Sequence, residues 1–161
     1  CGELILRREG EAEWPAGRFE YAYRTSWLKR HPGEAVVTAA SFGLRPSTVE
    51  DTRRRIQEYV VYRQRTQPPG ASWGSMFKNP PGDYAGRLIE AAGLKGHHVG
   101  EAEISSVHAN FFVNRGGAKA ADVAELLRVA RTRVEEQSGV RLDLEIELIG
   151  DWPKDVREDL A

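Results

Sequence analysis

The densest polar cluster of the sequence lies in one short loop, Gly74-Ser75-Met76-Phe77-Lys78-Asn79-Pro80. Ser75 offers a hydroxyl, Lys78 a positive charge for an anion, and Asn79 both a donor and an acceptor. The glycine before the serine would let a ligand approach closely. The loop lacks the last glycine of a nucleophile elbow and the ending of a Walker A loop. From the residues alone, two interpretations of this segment stay open: a functional loop and an ordinary connector.

Two further positions could supply a carboxylate and an imidazole. Glu145 lies on the polar side of an alternating segment beside Asp143 and Glu147, a pattern typical of a solvated carboxylate. His108 precedes an apolar run and fits either a hydrogen-bonded core position or a cleft. One cysteine and four scattered histidines provide no zinc-ligand set, so we expect no metal site.

The composition narrows the class of protein. The chain has 161 residues, 40% of them hydrophobic and 29% charged, which is typical of a globular domain or of two small ones. Its 23 basic and 24 acidic residues create no strong field, so neither nucleic acid nor a membrane is an expected partner. No apolar run is long enough to span a bilayer, and we expect a cytoplasmic protein. Because it starts with Cys1, we treat the sequence as a fragment.

Strand-like patterns fill the first third of the chain. Apolar residues at 4–6, alternating aromatic residues at 19–23 and a valine-rich stretch at 35–42 predict three strands. Polar breaks containing glycine and proline separate them, at 10–17 and 31–33. This pattern indicates the edge of a sheet whose other strands lie outside the sequence.

A second unit is predicted from residue 46. A capping box formed by Ser47 and Glu50 opens a charged helix over 48–64, and its arginines indicate a solvated face. The later predicted elements are an irregular loop over 71–82, helices over 83–92 and 120–137, and strands over 102–106, 109–114 and 140–148. The last strand alternates most strictly, and the polar tail after residue 150 should be peripheral.

Several strings, in their order and spacing, resemble one enzyme family over nearly the whole chain. They are the Gly74–Pro80 loop, A-G-R-L-I-E at 85–90, G-L-K-G at 93–96, H-A-N-F-F-V-N at 108–114, L-E-I-E-L-I-G at 144–150 and Y-R-T-S at 23–26. The combination is similar to the UDP-N-acetylenolpyruvoylglucosamine reductases. The string at 108–114 and the short loop after it look more like the second structural type, which lacks an inserted tyrosine loop.

The resemblance implies an α+β fold with three parts. Residues 1–45 would be the end of an FAD-binding domain, 46–150 the C-terminal substrate-binding domain, and 151–161 a polar tail. The family reduces UDP-N-acetylglucosamine enolpyruvate to UDP-N-acetylmuramate for peptidoglycan synthesis, using NADPH and FAD. Most of the FAD site would lie in a half that this sequence lacks, so the fragment alone should be inactive. We expect the enzyme to be a monomer.

The resemblance also assigns roles to individual residues. It makes Ser75 the general acid that protonates C2 of the substrate, and Glu145 the carboxyl group that polarises or protonates the same intermediate. Tyr23, Lys78 and Asn79 would contact the substrate. The alternatives are a non-catalytic module that binds a UDP-sugar without flavin, and a flavin oxidoreductase with another substrate. No role follows for His108, Asn110 and Asn114.

Overall fold

A computed structural model describes residues 1–160 of the chain. Within them lie two antiparallel sheets and five α-helices, so the α+β prediction is confirmed. The chain divides into two compact units, one covering Cys1–Thr52 and the other beginning at Arg53. None of the helices in the described residues is long and apolar enough to cross a membrane.

The first unit contains a three-stranded sheet with the order β2-β1-β3. Its strands are β1 (Gly2–Leu6), β2 (Gly10–Trp14) and β3 (Ala35–Ala40), and all the pairings are antiparallel. Alternation along β1 buries Leu4 and Leu6 on one face, where they join Trp14 and Phe19 in a small core. The predicted strands at 4–6 and 35–42 are therefore present in β1 and β3.

Two predictions for this unit are wrong. The stretch at 10–17 contains strand β2, because pairing with β1 places Trp14 in the core. Residues 19–23 do not form a strand; Ala16–Phe19 is a 3₁₀ helix, and Glu20 after it adopts a left-handed φ of 47°. That conformation interrupts the extended backbone, which a strand over 19–23 would require.

Two helices follow the strands in sequence. The short helix α1 (Trp27–Arg30) was not predicted; the hydroxyl of Ser26 caps it by accepting from the amide of Lys29, 3.4 Å away. Helix α2 (Val49–Thr66) agrees with the predicted charged helix, and none of its residues is buried. Its cap lies one residue later than predicted, since the Thr48 hydroxyl accepts from the amide of Asp51 at 3.0 Å.

The second unit packs helices on a four-stranded antiparallel sheet with the order β4-β7-β6-β5. Its elements are β4 (Ser72–Ser75), α3 (Ala85–Ala91), β5 (His98–Val99), β6 (Ala102–Ile104), β7 (Phe111–Asn114), α4 (Ala120–Ser138) and α5 (Lys154–Leu160). The largest fully buried side chains of this core include Met76, Phe77, Ile104, Phe112, Leu126 and Leu127. Gly139 ends α4 with a left-handed φ of 69°, as the sequence predicted.

Three predictions for this unit need correction. The expected loop over 71–82 begins with strand β4. The predicted strand over 140–148 is reduced to one isolated antiparallel bridge, between Phe77 and Leu144, because its partner segment is only three residues long. The tail is not peripheral, since α5 packs on the core through Leu160, which is 2% exposed.

Candidate functional site

The backbone just after Ser75 enters the core of the second unit. Ser75 ends β4, lies in register with Phe111 of β7, and is half-buried. The next two side chains, Met76 and Phe77, are 0% and 1% exposed. Burial of these two large apolar groups anchors the segment that carries Ser75.

A second segment binds this anchored backbone from the other side. The amide of Glu145 donates to the carbonyl of Met76, and the amide of Lys78 donates to the carbonyl of Asp143, each at 2.8 Å. Glu145 is half-buried. The structure therefore brings together the backbones that carry Ser75 and Glu145, although the two residues lie 70 positions apart in sequence.

Helix α4 fixes the start of the segment that carries Glu145. The Arg131 guanidinium, 6% exposed, donates from Nε to the carbonyl of Leu142 at 3.0 Å, and from Nη1 to the carbonyl of Asp159. Burial lowers the pKa of Arg131 from its usual range, and the neighbouring charge of Arg141 lowers it further. These bonds tie residue 142 to both α4 and α5.

Lys78 lines a cleft that Ser75 does not line. The cleft has a volume of about 600 Å³, and its polar lining includes Arg131, Asp143, Glu147 and Arg157. Neither Ser75 nor Glu145 is among the described residues that line it.

Asn79 and Tyr23 are the other two predicted substrate contacts. The Asn79 side-chain oxygen accepts from the amide of Ala85 at 3.0 Å, so it satisfies a free N–H group at the start of α3. Tyr23 belongs to the first unit and is 59% exposed, with the Arg24 guanidinium 5.7 Å from the centre of its ring. Their contacts with a substrate stay predictions.

Sequence reasoning missed two residues that hold this site together. Asn110, 4% exposed, forms two side-chain hydrogen bonds with the backbone of Phe77. Arg131 holds the other segment through Leu142. Their signals in the sequence are a lone amide just before an apolar strand and an arginine within the apolar stripe of a helix. Among residues 1–160, no three His, Cys, Asp or Glu side chains lie close enough together to hold a metal ion.

Comparison with known proteins identifies the family. Residues 64–149, just over half of the chain, match the family described as "UDP-N-acetylenolpyruvoylglucosamine reductase, C-terminal domain". The chain belongs to this family. The resemblance drawn from the motifs is therefore confirmed, and the elements from β4 to α4 lie within the residues that match a reductase C-terminal domain.

Individual relatives extend the match beyond this domain. The reductase of Chloroflexus aggregans is 51% identical over 150 residues, which cover 91% of this chain and 50% of that protein. The reductase of an Anaeromyxobacter species is 47% identical over 157 residues, covering 97% of this chain and 48% of that protein. The crystal structure of the reductase from Thermus caldophilus is 39% identical with a TM-score of 0.75, covering 94% of this chain and 52% of the other. The chain thus spans about half the length of these relatives.

Proposed function

We propose that this chain is the substrate-binding part of a UDP-N-acetylenolpyruvoylglucosamine reductase. The complete enzyme would reduce UDP-N-acetylglucosamine enolpyruvate to UDP-N-acetylmuramate in peptidoglycan synthesis, with NADPH as reductant and FAD as cofactor. The observation that carries the proposal is the hydrogen bond from the amide of Glu145 to the carbonyl of Met76, which joins the segments that carry Ser75 and Glu145. Relatives with this enzyme name, one of them 51% identical, support it.

Most of the FAD site is assigned to the remaining part of the reductase, and residues 1–45 are proposed to be the end of its FAD-binding domain. The glycines of residues 1–52 stand singly in the sequence, at positions 2, 10, 17, 33 and 43. They form no glycine-rich loop of the kind that holds a flavin pyrophosphate. When bound, FAD reduced by NADPH would supply the hydride for C3 of the enolpyruvyl group. The residues of this chain would supply the substrate contacts and the proton.

Ser75 is the proposed proton donor to C2 of the substrate. Hydride addition at C3 leaves negative charge at C2, conjugated with the carboxylate, and a proton must reach that carbon. A serine hydroxyl is a weak acid in water, so the site must hold it against C2 and stabilise the developing charge. We assign to Glu145 the polarisation or protonation of the same intermediate. Tyr23, Lys78 and Asn79 are proposed to bind the sugar nucleotide.

We propose that the enzyme acts as a monomer in the cytoplasm. The near-equal numbers of basic and acidic residues, 23 and 24, support a protein without affinity for a membrane or a nucleic acid. Size-exclusion chromatography with light scattering on the protein joined to its natural upstream coding region would measure the oligomeric state.

The test uses this chain joined in frame to its natural upstream coding region. NADPH oxidation should require the enolpyruvyl sugar nucleotide. Ser75→Ala should leave flavin reduction by NADPH within about twofold of the unmodified rate and slow the sugar-dependent half-reaction about 100-fold or more, the usual contribution of a general acid. The matched control is Ser72→Ala, an exposed serine at the other end of the same strand.

Two outcomes would contradict this assignment. Equal loss in both half-reactions for Ser75→Ala would remove its role as acid. Binding of the sugar nucleotide without any flavin reduction would favour a non-catalytic UDP-sugar-binding module instead.

A further inference from the structure

The side-chain amide of Asn110 bonds both backbone polar groups of one residue, Phe77, which lies two positions after the proposed acid. Its Oδ1 accepts from the amide of Phe77 at 3.0 Å, and its Nδ2 donates to the carbonyl of Phe77 at 2.8 Å. The side chain thus imitates a neighbouring strand, with one donor and one acceptor facing the same residue. Since Asn110 is 4% exposed, water has little access to replace either bond.

Asn110 also accounts for three of the four backbone groups of Met76 and Phe77. Its own carbonyl accepts from the amide of Met76 at 2.9 Å, in addition to the two side-chain bonds with Phe77. The fourth group, the carbonyl of Met76, accepts from the amide of Glu145. The backbone of the two residues after Ser75 is therefore held by Asn110 on one side and by the Glu145 segment on the other.

An amide is needed here because the sheet itself cannot provide these bonds. The register of β4 and β7 shifts between Ser72 and Ser75, and β7 begins only at Phe111. Phe77 therefore lies beyond the regular ladder, and its buried N–H and C=O groups need another partner. A side chain without both a donor and an acceptor would leave one of them unpaired.

We propose that Asn110 is a positioning residue that holds Ser75 and Glu145 at the spacing needed for proton transfer. The inference rests on the proposed function, because it assigns to the hydrogen bonds of Asn110 an effect on the sugar-dependent half-reaction alone. A change of about 1 Å in the position of a reacting group can cost about 100-fold in rate. Loss of the two hydrogen bonds between the Asn110 side chain and the Phe77 backbone would permit such a change at Ser75.

The experiment compares Asn110→Ala with Asn114→Ala in the complete enzyme. Asn114 lies at the other end of β7, where its Oδ1 accepts from the amides of Gly116, Gly117 and Ala118. Each substitution removes hydrogen bonds between a buried or half-buried side-chain amide and the backbone, but only Asn110 bonds the segment that carries Ser75. Asn110→Ala should lower kcat of the sugar-dependent reaction about 10- to 100-fold with little change in KM. Flavin reduction by NADPH should be unchanged, and Asn114→Ala should be near normal in both reactions.

A double-mutant comparison separates positioning from general loss of structure. If Asn110 acts through Ser75, Asn110→Ala should have less than a threefold effect in a Ser75→Ala background. Asn110→Asp provides a second test of the inference if the alanine variant does not fold. A buried carboxyl group has a raised pKa, and its protonated form restores both the donor and the acceptor. The sugar-dependent rate of this variant, relative to the unmodified enzyme, should rise as the pH falls through that pKa.

Several outcomes of these experiments would contradict the inference about Asn110. Normal turnover in Asn110→Ala, equal slowing of both half-reactions, or a full additional loss in the Ser75→Ala background would overturn the inference. A flat relative pH profile for Asn110→Asp would do the same. If the unmodified enzyme shows no sugar-dependent turnover, the proposed function fails first and the inference falls with it.

Discussion

At the scale of single residues, the site depends on polar side chains that form hydrogen bonds with the backbone. Asn110 satisfies the Phe77 peptide, Asn79 satisfies the first amide of α3, and Arg131 satisfies the carbonyl of Leu142. Buried or half-buried groups of this kind are costly to leave unpaired, so each one fixes the position of a backbone segment. Ser75 and Glu145 gain defined positions because their neighbours are held in this way.

The prediction at this scale concerns Glu145. In the complete enzyme, Glu145→Gln should slow the sugar-dependent half-reaction about 10- to 100-fold, because an amide cannot supply a proton or a full negative charge. The substitution is nearly isosteric, and the backbone bond from its amide to Met76 remains. Stopped-flow absorbance of the flavin would measure both half-reactions.

The control for this prediction is Glu136→Gln, an exposed carboxylate on α4 that does not line the cleft of Lys78. It should retain both rates within about twofold. A Glu145→Gln protein that is unfolded by circular dichroism would indicate a structural role for this side chain instead.

At the scale of elements, the C-terminal helix α5 supports the segment that carries Glu145. Arg128 forms ion pairs with Asp155 and Asp159, and Leu160 is buried in the core. The same helix contributes the carbonyl of Asp159 to the Arg131 guanidinium, which also holds Leu142. Exposed ion pairs contribute little, so most of the stabilisation should come from Leu160 and from the buried guanidinium.

Leu160→Ala should therefore lower the free energy of unfolding by about 2 kcal/mol, the low end of the range for buried leucine, because a chain terminus can relax. Urea denaturation followed by circular dichroism would measure this loss. Glu158→Ala, an exposed position on the same helix, should change it by less than about 0.5 kcal/mol. An effect of Leu160→Ala as small as that of Glu158→Ala would mean that α5 does not pack on the core in solution.

At the scale of the whole molecule, the chain has two separate hydrophobic cores of very different size. The core of the first unit consists of Leu4, Leu6, Trp14 and Phe19, whereas the second contains eighteen buried residues within the described part of the chain. Hydrophobic stabilisation scales with the apolar area removed from water. The second unit should therefore be the more stable of the two.

Substitutions in one core should weaken that unit alone. Leu4→Ala is expected to accelerate amide exchange within residues 1–52, and Phe112→Ala within the unit that begins at Arg53, because local opening follows local packing. Hydrogen–deuterium exchange with mass spectrometry would map both effects on this chain. Ile5→Ala, at a position 48% exposed on the same strand as Leu4, is the control. Faster exchange in both units after either core substitution would show that they unfold as one.

The sequence alone determined the features that depend on neighbours within a few residues. Helix α2, helix α4 with its glycine stop, and the strands β6 and β7 follow from periodicity and turn chemistry, which are local. The α+β class followed from the resemblance of the motifs to a known family. Motif order was also sufficient for the family. Site residues could be named from the resemblance, but their geometry could not.

Only the tertiary structure decided features whose partners lie far away in sequence. The strict alternation at 140–148 predicted a strand, yet a short partner segment leaves one bridge at Leu144. No role for Asn110 follows from the sequence, because the residue whose backbone it bonds, Phe77, lies 33 positions away. Lys78 lines a cleft that Ser75, three positions earlier in the sequence, does not line. Hydrogen-bond satisfaction and burial are properties of the folded neighbourhood, and no local pattern specifies which distant group will provide them.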